Sequence, residues 1–214
     1  MRPSASEREA VDSLDVLIRA TARAKRLASH LYVVAGARAE QDTSREAVEG
    51  IAEEEIGQAS AIEALLPREP APSPAPTPRG APWARTESSW PTALMAAFAV
   101  DQAATGTLVA LSQALDPDIA RLAADLVAAE QDHQGFAVDA FRAITDVDPG
   151  LGRSLAVEMI AARDWVKEIY PRRRVLVSLV EAGLLRPEAP RAHDSFLANL
   201  GDRVQDALGV LGEL

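Results

Sequence analysis

Glu130-Gln131-Asp132-His133 interrupts a helical stripe that is otherwise apolar: Ile119, Leu122, Leu126, Glu130, His133, Phe136 or Ala137, and Ala140. An acid and an imidazole three residues apart share one helix face, so both can reach a single cation. The same anomaly recurs on other helical stripes. Val48, Ile51, Glu55, Gln58, Ile62 and Leu65 place an acid and an amide at matching positions, and Leu94, Phe98, Asp101, Thr105, Leu108 and Leu115 place one acid. A first stripe, Leu14, Ile18, Thr21, Ala28, Tyr32 and Ala35, carries Lys25. Ionisable groups on faces that ought to be buried build either a metal site or a buried ion-pair network.

The periodicity predicts helix nearly throughout and no strand. Helix one is expected from Glu7 or Val11 to Ala39. Helix two is expected from Thr43, with Thr43 and Glu46 at capping-box spacing, to Pro67. Helix three should start near Ser89-Trp90-Pro91 and end at Leu115, and helix four should run from Asp116-Pro117 to Ile144, each opening with a cap followed by proline. Further helices are expected over 152–169, 174–182 and 189–211. The prolines between Pro67 and Trp83 forbid helix there, because proline lacks the donor and restricts its predecessor. Neither flank has enough helices for its own core, so 67–88 reads as a crossover inside one domain spanning 1–214.

Equal distances from a shared turn place residues of antiparallel helices side by side. Asp101 lies 15 residues before Asp116 and Glu130 lies 14 after it, so the two are level. Around a turn near Ala39 to Asp42, Glu55 is level with Lys25. One ring at mid-height is therefore predicted to hold Lys25, Glu55 with Gln58, Asp101, and Glu130 with His133.

Composition narrows the functional classes. A net charge of −10 over 214 residues opposes approach to nucleic acid or an anionic membrane, so neither is an expected partner. The absence of cysteine excludes disulfides, thiolate metal sites and cysteine nucleophiles. No signal-peptide core opens the sequence, and no run is expected to approach the roughly 18 apolar residues that span a bilayer, which predicts a cytoplasmic protein. No phosphate-cradling glycine loop, dinucleotide fingerprint or catalytic serine motif is visible. His30 and His193 lack partner patterns. Trp83, Trp90 and Trp165 read as packing anchors, and Arg172 to Arg174 as a solvated helix boundary.

In di-iron carboxylate bundles two helices each give a Glu and two give Glu-x-x-His. Glu130-x-x-His133 meets that pattern. Glu55-Ile56-Gly57-Gln58 keeps the acid and replaces the imidazole by an amide, Asp101 supplies a shorter carboxylate, and helix one supplies no acid at that height. The chain resembles the phenylacetic acid catabolic protein family, the ferritin-like subunits of bacterial ring-1,2-phenylacetyl-CoA epoxidase. The resemblance rests on Gly57-Gln58-Ala59, Asp101, Asp116-Pro117, His133, Asp164-Trp165-Val166-Lys167-Glu168-Ile169-Tyr170, Glu181-Ala182-Gly183 and Pro187, in that order from about residue 12 to 210. It is greatest to the structural, non-catalytic subunit.

The resemblance implies an all-α, ferritin-like four-helix bundle with a long proline-rich crossover between helices two and three and additional C-terminal helices. It also implies a related catalytic subunit, or further copies of the chain, as partner. Two readings of the ring follow. In the favoured one Lys25 neutralises the acids, no metal is held, and the chain is a structural subunit with a degenerate metal site. In the alternative, Glu55, Asp101, Glu130 and His133 hold iron or manganese in a self-sufficient oxygenase or oxidase.

Overall fold

The computed structural model describes residues 5–66, 89–169 and 173–209. The expected crossover over 67–88, with Trp83, lies outside the described residues, as do Arg172, Tyr170 and the side chains of Asp164 to Ile169. The described residues form seven helices: α1 (Ala5–Gly36), α2 (Asp42–Glu63), α3 (Trp90–Leu111), α4 (Pro117–Val147), α5 (Pro149–Ile169), α6 (Arg173–Glu181) and α7 (Ala189–Ala207). The all-helical reading is correct for them.

Helix starts follow the local chemistry of capping. The Asp116 side chain accepts from the backbone N–H of Asp118 and Ile119 at 2.9 and 3.2 Å, and Pro117 needs no partner at the first helical position. The same dipeptide acts again at Asp148-Pro149, where Asp148 Oδ1 accepts from Gly150 and Leu151 at 2.9 and 3.1 Å. That second Asp-Pro sets the start of α5 at Pro149 rather than Gly152, and α4 runs on to Val147 rather than stopping at Ile144. The expected capping box at Thr43 and Glu46 is absent, since α2 starts at Asp42 behind Gln41 with no side-chain cap bond. Helix three ends at Leu111, and Leu115, expected on its buried stripe, is exposed. Gly183, at φ +70°, ends α6 in the left-handed conformation, with Leu184 N–H on the Leu179 carbonyl and Gly183 N–H on that of Val180. The reversed chain then meets the α3–α4 turn through Leu115 N–H to the Leu184 carbonyl and Arg186 N–H to that of Gln113.

One helix departs from the one-face pattern. Every residue of α3 from Ala93 to Leu108 is buried, because α1, α4, α5 and α7 all pack on it. Small side chains permit that: a Cβ on Gly106 would stand 3.1 Å from Leu197 Cδ2 of α7. Contrary to the sequence expectation, α3 is by length and composition long and apolar enough to cross a membrane, yet in this fold nearly all of it is covered by protein. The core has two apolar parts. One gathers Tyr32, Val48, Leu94, Phe98 and Phe141, with Phe98 and Phe141 edge to face at 5.6 Å. The other gathers Leu17, Ile18, Ile62, Leu108, Leu111, Leu176 and Leu179.

Removing the Asp116 cap leaves two orphan donors, so Asp116→Ala should lower unfolding stability by about 1 kcal/mol. Gly50 of α2 has open space where an added methyl group would stand, so Gly50→Ala should raise it by about 0.5–1 kcal/mol. Urea denaturation followed by circular dichroism measures both.

Candidate functional site

Between the two apolar parts lies a layer of polar side chains. Lys25 of α1, Glu55 and Gln58 of α2, Asp101 and Thr105 of α3, and Glu130 and His133 of α4 are all buried at this level. Equal distance from the shared turns does place them at one height, and all six residues predicted for the ring meet in one cluster.

Lys25 Nζ is its centre. It lies 2.6 Å from Asp101 Oδ1, 2.8 Å from Glu130 Oε1 and 3.1 Å from Glu55 Oε1, with Thr105 Oγ1 at 3.4 Å. Lys25 and all three acids are fully buried. Stranding one charge there would cost several kcal/mol, and mutual neutralisation makes the group tolerable. Burial by itself would lower the Lys25 pKa, but Asp101, Glu55 and Glu130 outweigh it and push it up, so the side chain is an ammonium ion.

The outer partners divide unevenly. Asp101 Oδ2 accepts from Tyr32 at 3.2 Å and Gln102 at 3.3 Å. Glu130 Oε1 accepts from Gln58 Nε2 at 2.5 Å. Burial pushes the Tyr32 hydroxyl pKa well up, with Asp101 adding to it, so Tyr32 remains a neutral donor. Glu130 is held low because His133 and Lys25 together overcome its burial. Glu55 is pushed up, since burial exceeds the help it receives from Lys25.

His133 joins the layer to the surface. Its Nε2 lies 2.9 Å from Oε2 of the exposed Glu54, while Nδ1 faces inward, 3.3 Å from Glu55 Oε1 and 3.4 Å from Glu130 Oε2. Burial would lower the imidazole pKa, but Glu130 and Glu55 reverse that and push it up to about 11. Glu54 escapes a reading of the sequence because, one residue from Glu55, it sits off the buried stripe. Its signal is the run Glu53-Glu54-Glu55, which puts acids on both sides of the helix edge. Tyr32, Thr105 and Gln102 also escape as members of the site, the first two showing in the sequence as stripe residues only.

Glu55, Asp101, Glu130 and His133 each offer a ligand atom within 4.8 Å of the others, so the group could hold a metal ion. The donor chemistry does not fit a pair of ions while Lys25 is present. Its ammonium already touches one oxygen of each of the three carboxylates, the place a second ion would need. His30, which is exposed, and His193, whose Nδ1 lies 3.3 Å from the neighbouring Asp194, are not among the clustered ligand residues. Trp90 is part-buried against the core, as expected of an anchor, and Arg173 pairs with Asp194 at 3.3 Å.

Fold and site together define a chain that is helical throughout the folded elements of its described residues and built round a buried lysine–carboxylate–histidine layer. No family model, curated protein or solved structure matches the chain.

Two outcomes are expected of this geometry. Lys25→Met leaves three buried carboxylates without their cation and should cost about 3–5 kcal/mol in urea unfolding; a loss below about 1 kcal/mol would contradict the buried-ion account. The folded imidazole of His133 binds its proton more tightly than the unfolded one. Its stabilisation is thus complete below pH 6.5 and is lost as pH rises toward about 11. Chelator-treated wild type should lose stability across that window, and His133→Gln should flatten the slope.

Proposed function

We propose that the chain is a ferritin-like structural subunit of a multicomponent monooxygenase of the phenylacetyl-CoA type, working in the cytoplasm beside a related subunit that carries the metal pair and the substrate. One observation carries this reading: Lys25 Nζ, within 2.6–3.1 Å of Asp101, Glu130 and Glu55, takes the place of a cation in a ring otherwise laid out like a dimetal carboxylate site. Gln58 adds to it, standing three residues after Glu55 where such a ring would carry a second histidine.

An ammonium ion can neutralise carboxylates but cannot accept electrons or polarise dioxygen as a metal does. A bundle with its centre filled in this way keeps the shape of a dimetal protein without the chemistry. Its remaining use is architectural, as a surface of the right form for a catalytic relative. The alternative, a self-sufficient iron or manganese oxygenase using Glu55, Asp101, Glu130 and His133, has less support because Lys25 would first have to leave a site where three carboxylates hold it.

Co-expression with a related ferritin-like protein of the complete dimetal type, followed by size-exclusion chromatography, tests the proposal. A hetero-oligomer is expected. A stable monomer that never co-purifies with such a protein would overturn it.

A further inference from the structure

The ring is not used evenly. Lys25 takes Oε1 of Glu55 and Oε1 of Glu130, and Gln58 donates to that same Glu130 oxygen. Five atoms of the layer remain. Glu55 Oε2, Glu130 Oε2, Gln58 Oε1, His133 Nδ1 and Gln102 Oε1 are all buried, and among the described residues none has an aligned hydrogen-bond partner, the nearest approach being His133 Nδ1 to Glu130 Oε2 at 3.4 Å. All but Gln102 Oε1, on α3, belong to α2 and α4.

Buried polar atoms without an aligned partner are costly, at about 1–3 kcal/mol each, so four along one seam call for an explanation. The imidazole supplies a second, independent indication. His133 Nε2 faces the Glu54 carboxylate at 2.9 Å, which makes Nε2 a donor and leaves Nδ1 facing inward, 3.3 Å from Glu55 Oε1 and 3.4 Å from Glu130 Oε2. A carboxylate behind an imidazole, with the other ring nitrogen pointing into a group of acids, is how proteins orient a histidine toward a metal ion.

Charge counting sets the stoichiometry. Burial pushes the Asp101 and Glu55 pKa values up, so an incoming ion displaces any proton they hold as well as that of His133. With all three acids ionised and the imidazole neutral, one ammonium leaves two negative charges, the complement of one divalent ion. Two divalent ions would leave the buried layer positive by two, a cost with no partner to relieve it.

We propose that the α2–α4 side of the ring binds one divalent first-row transition ion through Glu55, Glu130, His133 and Gln58, with Lys25 permanently in the place of a second. Oxygen donors with a single imidazole suit manganese(II) or iron(II), and the imidazole disfavours calcium and magnesium. The ion takes the place of the proton that His133 Nδ1 otherwise carries. Entry is from the α2–α4 seam, where these helices touch only lightly and Glu54 is exposed at the surface. The inference deepens the function proposed above and rests on Lys25 staying in the ring. It gives the ion a structural task, tying α2 to α4.

The test uses full-length protein stripped with chelator, then equilibrated with manganese(II) chloride and freed of excess ion. Elemental analysis should give one manganese per chain, and thermal unfolding should move upward with it. His133→Gln should weaken binding at least tenfold. Glu54→Gln, an exposed change that leaves the buried layer whole, should weaken it about tenfold by loosening the imidazole. Zero manganese overturns this inference and leaves the structural-subunit reading standing. Two per chain overturns both. One per chain that neither variant weakens places the ion on the acidic surface instead and overturns the inference.

Discussion

The ammonium of Lys25 inside three carboxylates is the constraint on which the remainder of the molecule turns. Each of the four charges comes from a different helix, α1 to α4, and each is fully buried. Apolar side chains tolerate small slips of one helix along another, because burial is non-directional. A lysine that must meet three acids at 2.6–3.1 Å does not, since a shift of one turn would strand at least one charge. The polar layer therefore fixes the register of helices whose apolar faces alone would leave it loose. The bidentate pair of Arg26 and Glu63, at 3.0 and 2.6 Å, reinforces the α1–α2 register where solvent still reaches.

This dependence explains what the sequence could disclose. Charged residues inside apolar stripes are rare enough to stand out, and helical rise converts their spacing into height, so the ring from Lys25 to His133 is predictable before any fold is known. The sides of the ring are less legible. Which oxygen of Glu130 faces Lys25, and which faces the seam, depends on rotamers and helix rotation that a linear spacing does not encode. Glu54 is hidden for the same reason: at the edge of a stripe, a modest rotation of the helix decides between solvent and site.

The departures from the expected helical map have separate physical causes. Helix α3 reads in sequence as having one apolar face, but its alanine, glycine and threonine positions are small enough for four helices to close on it, and small residues carry little periodic signal. The start of α5 is concealed because Asp148-Pro149 follows α4 with almost no gap, and an unbroken helical pattern hides a cap within it. The Thr43 capping box does not form because α2 begins one residue earlier, at Asp42, whose carboxylate pairs with Arg45 instead at 2.9 Å.

Replacing a buried ion group by apolar side chains of similar volume is often neutral or stabilising, so stability alone gives little reason for four buried charges. Register accounts for Lys25 and the three oxygens it touches, together with Asp101 and its donors Tyr32 and Gln102. It does not account for His133, since the imidazole adds no contact to Lys25 and instead faces Glu55 and Glu130, helping to hold Glu130 ionised. The histidine, with Glu54 behind it, is thus the part of the layer that register does not require. The proposed ion belongs on that side of the ring.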